Sequence, residues 1–349
     1  MRPRFVLSVV TPLILVATTS CDNVNWGGAD VAVVPPPPVT RGVSFEGEAV
    51  EERVPQGPVL FYVLPAEGGA TMVPVAEIAS DSLIRIRPTQ DPAAFASRFI
   101  AEHMRQGAEF ALFREGARVG TFVVQATEVP PANACPFLPR ARGNLQLSSG
   151  AEQIPEFLAI AEPYAPEISR RAGPALQINR NMQVLAPILA ERLLRARGAQ
   201  LPGNWQRAMA QLEPIPITGA AGPGYAATFL VSDDLKPGGD NNGYSLFYVG
   251  VPSQFSYDTA YVEFHNYPAT GKAAPRLVDF LDWNRDEQPD LLLQVYGLRD
   301  VWFEAVSRSQ RGQWRRVFQD RCEQGTSTMP LPGPTLDSMT TTSADSING

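Results

Sequence analysis

The stretch Leu277–Gly297, LVDFLDWNRDEQPDLLLQVYG, places a carboxylate-rich loop between two strand-like apolar runs. Residues that offer oxygen ligands alternate along the loop, at its positions 1, 3, 5, 7 and 9: Asp282, Asn284, Asp286, Gln288 and Asp290. At position 7 the ligand is the backbone carbonyl. Alternate groups of a tightly wound loop converge on one point, where Ca²⁺ binds about six to eight oxygens. The stretch therefore predicts a β-hairpin closed by a structural calcium site.

The loop resembles the calcium loop of FG-GAP and VCBS-type repeats, D-x-[DN]-x-D-G-x-x-D followed by Leu and apolar residues. The resemblance covers about twenty of the 349 residues and occurs once. Glu287 stands where the pattern has Gly, so a left-handed backbone is expected there at some cost. Leu293 at position 12 excludes the bidentate Glu of a helix–loop–helix calcium site. The open alternative is a plain β-turn with solvated acids.

The N-terminus has the three-part layout of a secretory signal peptide over residues 1–20. Arg2 and Arg4 precede the apolar run FVLSVVTPLILVA, and the small residues TTS lead into Cys21. The apolar run is too short to predict a transmembrane helix. The sequence therefore predicts export.

The end of this segment is similar to a bacterial lipobox, with Thr18 where that motif usually has Leu. The resemblance implies that Cys21 is lipidated and becomes the mature N-terminus. It also implies a membrane-anchored protein of the bacterial cell envelope that faces an extracytoplasmic space. Ordinary cleavage after Thr19 or Ser20 is the alternative.

The three cysteines are Cys21, Cys135 and Cys322, an odd number for an exported chain. If Cys21 carries the lipid, the other two are free to pair in an oxidising compartment. We therefore predict a Cys135–Cys322 disulfide.

The chain is acidic, with a formal net charge of −7, and is 44% hydrophobic. Nucleic-acid binding requires a concentrated basic surface, so a nucleic-acid partner is not expected. A hydrophobic content of this size is sufficient for a large core.

Composition divides the chain into six segments. A Gly- and Pro-rich tether (21–41) follows the signal peptide, and a Ser-, Thr- and Pro-rich tail (323–349) is expected to be disordered. Between them we predict a small N-terminal α+β unit (42–129), a helical bridge (130–216) and a β-rich C-terminal domain (217–322). The predicted fold class is α+β and β-rich, and the C-terminal domain is predicted to be an antiparallel β-meander.

Local signals support these segments. In the first unit, Asp91-Pro92 predicts the start of a helix and Glu115-Gly116 a hairpin. In the bridge, helices are predicted at 154–161, from Leu176 to Gly198, and after Asn204. Seven strand-like runs follow up to Cys322.

Motif searches find no nucleophile elbow, zinc-protease motif, phosphate loop or dinucleotide fingerprint. The leading hypothesis is therefore a non-catalytic envelope protein, structural or bound to a protein or glycan partner. The alternative is an envelope hydrolase that uses carboxylates or a bound metal. A second open question is whether four aromatic residues near the loop are exposed for binding or build the core: Trp283, Tyr296, Trp302 and Trp314.

Overall fold

The computed structural model describes most of the chain between residues 54 and 322. The described ranges are 54–79, 82–88, 91–131, 137–165, 176–239, 241–254, 256–309 and 311–322. The predicted signal peptide (1–20), tether (21–41) and tail (323–349) lie outside these ranges, as do Cys21 and Cys135. All described residues belong to one compact unit, Val50–Gly349.

Sheet A is built from the first half of the chain. Its strands are β1 (Val59–Ala66), β2 (Gly69–Ile78), β3 (Leu83–Ile84), β4 (Glu109–Arg114), β5 (Ala117–Glu128), β6 (Arg140–Leu147) and β7 (Phe157–Ala161). They are antiparallel in the order β1-β7-β4-β5-β6-β2-β3. Because β1 also pairs with β2, this sheet closes on itself.

Helix α1 (Pro92–His103) and the β4–β5 hairpin form as the sequence predicts. Asp91 Oδ1 accepts hydrogen bonds from the backbone N–H groups of the two residues after Pro92, at 3.1 and 3.0 Å. In the hairpin turn, Glu115 and Gly116 take φ angles of 52° and 73°. This left-handed pair suits the twist of a tight hairpin.

Sheets B and C contain the second half of the chain. The strands of sheet B are β8 (Met209–Ile215), β9 (Gly224–Val231), β10 (Tyr244–Pro252) and β11 (Tyr257–Asn266). Those of sheet C are β12 (Ala274–Leu281), β13 (Asp290–Tyr296), β14 (Val301–Arg308) and β15 (Trp314–Gln319). Each of these sheets is an antiparallel meander of four strands. The C-terminal strands therefore form two meanders, where the sequence predicted one. A four-residue helix, α3 (Tyr267–Thr270), lies between the two sheets in the chain.

The predicted helical bridge is part helix and part sheet. Helix α2 (Arg180–Ala196) is confirmed, but the helix predicted at 154–161 is wrong because β7 occupies most of it. The apolar run of β7 is too short for its periodicity to separate a strand from a helix. After Asn204 a short 3₁₀ helix (Trp205–Ala208) leads directly into β8. The boundaries between the three predicted units stay a prediction.

Sheet C is covered on both faces, which explains its continuous apolar runs. On β13, Leu292 packs with residues of sheet A, whereas Leu291 and Leu293 pack with residues of sheet B. On β1, Tyr62 contacts the core shared with sheet C and Phe61 contacts α1. The sheets therefore form three layers with sheet C in the middle.

Helix α2 covers the other face of sheet B. Its buried residues recur every fourth position and pack with tyrosine and phenylalanine side chains of β9 and β10: Met182, Ala186, Ala190 and Leu194. Among the helices within the described ranges, none has the length and apolar content needed to span a membrane.

Candidate metal centre

The loop that connects β12 to β13 is held at the end of the central hairpin. Asp282 and Asp290 are buried where the loop leaves and re-enters sheet C. Asn284, Asp286 and Gln288 are half-buried. The five residues predicted as ligands thus share one short loop, anchored to the middle layer of the protein.

Backbone N–H groups of the loop donate to its own side chains. Asp286 N–H donates to Asn284 Oδ1 at 3.0 Å, and Gln288 N–H donates to Asp286 Oδ1 at 2.9 Å. Glu287 N–H donates to Asp282 Oδ2 at 3.2 Å. These three bonds wind the loop tightly.

Glu287 has the left-handed backbone that the resemblance implies for this position, with φ of 65°. Its side chain is exposed, and only its backbone takes part in the loop. Arg285 is also left-handed, with φ of 62°. Such conformations cost a residue other than Gly about 1 kcal/mol or more. The loop therefore contains strain that a glycine at position 287 relieves.

Asp290 is the most unusual group in the loop. Its side chain is 0% exposed, and neither carboxylate oxygen has a hydrogen-bond partner of normal geometry. Burial raises the pKa of Asp290 to about 7, and the charges of Asp286 and Asp282 add to this. Weak hydrogen-bonding contacts with Ser307 and with the backbone of Asn284 lower this pKa in part. A buried carboxylate without well-formed hydrogen bonds is costly in its charged form unless a cation balances it.

In the described part of the chain, no group of three or more His, Cys, Asp or Glu side chains lies close enough together to hold a metal ion. Asp282, Asp286 and Asp290 are close enough for their charges to interact. In Asp282 and Asp286, only one of the two carboxylate oxygens forms the loop hydrogen bond described above. The carboxylate and amide oxygens of this loop are of the type that a hard cation binds.

Two residues outside the predicted site fasten the loop to its surroundings. Thr218 Oγ1 donates to the carbonyl oxygen of Glu287 at 2.7 Å. Arg308 Nη1 donates to Gln288 Oε1 at 3.0 Å and to the carbonyl oxygen of Thr218 at 3.2 Å. Thr218 precedes β9 and Arg308 ends β14, so the loop ties sheet B to sheet C. No motif in the sequence marks either residue.

A second carboxylate cluster lies between sheets B and C. Glu304 accepts hydrogen bonds from Trp302 at 2.7 Å, Gln319 at 3.0 Å and Arg316 at 3.1 Å. Burial raises its pKa, and the charge of Glu263 contributes. Although burial opposes ionisation of Glu263, the hydrogen bond and charge of His265 lower the pKa of Glu263.

Both acids of this cluster are occupied by protein partners. His265 and Tyr261 hold the two oxygens of Glu263 at 2.7 and 2.9 Å. The only sequence signal for the pair is an acid at a buried position of each strand, Glu263 on β11 and Glu304 on the mainly apolar β14. This arrangement keeps two carboxylates stable in the interior.

The aromatic residues near the loop build the core. The exposed fractions of Trp283, Tyr296, Trp302 and Trp314 are 1%, 3%, 2% and 8%. They do not form a flat surface on which a sugar stacks.

Comparison with protein-family models, with curated proteins and with solved structures found no match to this chain. The geometry of the loop and the sequence features therefore carry the functional argument.

Proposed function

We propose that this is a non-catalytic protein of the bacterial cell envelope whose β12–β13 loop binds Ca²⁺ in a structural role. The proposal includes export by the signal peptide, lipidation of Cys21, and pairing of Cys135 with Cys322. The observation that carries the metal site is Asp290, a buried carboxylate whose two oxygens have no hydrogen-bond partner of normal geometry and only weaker contacts with Ser307 and the Asn284 backbone. A divalent cation offsets its charge and those of Asp282 and Asp286.

Asp282, Asp286 and Asp290 would hold the ion together with Asn284 Oδ1 and the backbone carbonyl of Gln288. When bound, Ca²⁺ supplies charge neutralisation. Thr218, in the connection between β8 and β9 of sheet B, and Arg308, on β14 of sheet C, both bond to the loop. An ordered loop therefore also fixes a contact between these two sheets. Calcium is then expected to stabilise the packing of two layers as well as one hairpin.

Excess Ca²⁺ is expected to raise the melting temperature of the protein relative to chelator. Binding to the folded state alone adds about 2.7 kcal/mol at a free concentration one hundred times Kd. For a protein of this size, that corresponds to a rise of about 5 °C or more. Calorimetry in Ca²⁺, Mg²⁺ and chelator measures it. An identical melting temperature in Ca²⁺ and in chelator means that the loop is only a turn.

Variants of the loop make this test specific. Asp286→Ala should abolish most of the calcium-dependent rise, whereas Asp258→Ala, an exposed acid on β11, should leave it unchanged. Glu287→Gly removes left-handed strain that is present without the metal, so it should raise the melting temperature in Ca²⁺ and in chelator alike. Equal responses of the Asp286 and Asp258 variants would contradict the site.

The geometry supports a non-catalytic role more than the hydrolase alternative. The two acids that approach each other across sheets B and C are held by protein partners. A shallow groove of about 410 Å³ beside α2 is lined by residues that carry no acid: Ile178, Gln183, Met209, Ala210, Gln211 and Leu212. We therefore propose no reaction for this chain.

Replacement of Cys21 by Ser is expected to move the protein out of the membrane fraction. One acyl chain anchors a protein only marginally, and the lipidated cysteine of this class carries several chains. Cell fractionation followed by detection of the protein measures the change. A membrane pool of unchanged size would contradict lipidation and leave the calcium proposal intact.

A further inference from the structure

The outward face of helix α2 is apolar at its centre. Val184 and Ile188, one turn apart, are 53% and 51% exposed, and Ile178 just before the helix is 40% exposed. Val and Ile are weak helix formers, so helix stability does not account for them at exposed positions. The opposite face of the same helix already covers sheet B.

Positive charge surrounds these apolar side chains. Residues 179–198 contain four arginines, at positions 180, 192, 195 and 197, and a single acid, Glu191. The four arginines are exposed, and Arg195 pairs with Glu191 at 2.7 Å, so that the segment keeps three positive charges that its single acid does not balance. Arg180 and Arg192 lie on either side of the Val184–Ile188 pair at helical spacing. This local excess of positive charge contrasts with the net charge of −7 of the whole chain.

We propose that this face of α2 docks on an anionic phospholipid bilayer. An apolar stripe flanked by arginines is the pattern of a helix that lies in a membrane interface. Val184 and Ile188 enter the acyl boundary, and Arg180 and Arg192 contact lipid phosphates. The acidic remainder of the chain is repelled by the same surface, which fixes the orientation of the protein.

The physiological setting of this contact rests on the proposed envelope location, but its physical test does not. A chain of residues 50–349 contains all described residues, which belong to one compact unit, and excludes the predicted signal peptide and lipid. Its partition onto phosphatidylcholine vesicles with phosphatidylglycerol is measured by co-sedimentation. Binding should fall at high salt and on pure phosphatidylcholine, because charge attraction is screened or removed.

Variants of α2 and of another exposed apolar site test whether vesicle binding depends on this face of the helix. Val184→Ala with Ile188→Ala keeps or improves helix propensity and should weaken partition about tenfold. Arg180→Gln with Arg192→Gln should weaken it about thirtyfold on anionic vesicles. The matched control is Val129→Ala with Leu298→Ala, at residues that are 45% and 39% exposed. This control should bind like the wild type.

Three results overturn the proposal. They are no binding of the wild type to anionic vesicles, equal loss in the control and α2 variants, and equal binding to neutral and anionic vesicles. A fourth result that overturns the proposal comes from analytical ultracentrifugation, which measures self-association. If the Val184/Ile188 variant loses self-association but keeps vesicle binding, the face is an interface between copies of the chain. Failure of the Cys21 experiment with intact vesicle binding counts against the lipid anchor alone.

Discussion

Replacement of Glu156 by Ala is expected to destabilise the protein by about 3–5 kcal/mol, because it leaves the buried Arg276 without a carboxylate to balance its charge. Glu156 is 4% exposed and holds both terminal nitrogens of Arg276 at 2.7 Å. Tyr62 donates to the same carboxylate at 2.6 Å. The pair connects β12 of sheet C with the start of β7 in sheet A. Calorimetry should show a melting temperature lower by about 6–9 °C.

Glu162 provides a matched control for this prediction. It pairs with Arg118 at the surface, where the two side chains are 27% and 43% exposed. Exposed pairs contribute about 0–1 kcal/mol, so Glu162→Ala should change stability little. Glu156→Leu with Arg276→Met should recover most of the loss, since both charges leave the interior together. Equal costs of the two Glu→Ala substitutions would falsify the role of the buried pair.

Local signals predict the elements of this fold well. The Asp91-Pro92 start of α1, the Glu115-Gly116 hairpin and the seven C-terminal strands are all confirmed. Each depends on residues close together in the chain, such as a capping carboxylate or a left-handed turn. Such signals act within a few residues and do not require the rest of the fold.

The arrangement of the sheets could not be predicted from the same signals. The run Leu291–Leu293 indicates that both faces of β13 are covered, but it does not identify what covers them. The structure shows sheet A on one face and sheet B on the other. Glu156 and Arg276 meet across 120 residues of sequence, a separation that no motif encodes. The order of the three sheet layers is thus determined by contacts between residues that are far apart in the sequence.

In the candidate site, too, the features set by neighbouring residues could be predicted and those set by distant contacts could not. The spacing of Asp282, Asn284, Asp286 and Asp290 predicts which residues share the loop, and the missing glycine predicts the left-handed backbone at Glu287. The complete burial of Asp290 follows from the layer packed over β13, so its unsatisfied oxygens could not be foreseen. Thr218 reaches the loop from another sheet for the same reason.

Asp279 is expected to make the protein less stable as pH rises from about 5 to 8. Its Oδ1 accepts hydrogen bonds from Phe280 N–H at 2.8 Å and Glu115 N–H at 2.9 Å, while its Oδ2 is buried without a partner. Burial raises the pKa of Asp279 to about 7, against 3.8 for the ordinary group. Between these values the folded state keeps the proton and the unfolded state has lost it. Folding is therefore favoured at low pH and loses this advantage as pH approaches 7.

Asp279→Asn should remove this contribution, because the amide keeps the Oδ1 acceptor and never ionises. The unfolding free energy of the variant relative to wild type should rise by about 3 kcal/mol between about pH 5 and pH 8. Burial also raises the pKa of Asp290 and Asp320 to about 7, but their contributions cancel because both proteins contain them. Urea unfolding in chelator at several pH values measures the difference, with Asp258→Asn as the exposed control. A difference that stays constant across this range means that Asp279 does not keep its proton in the folded state.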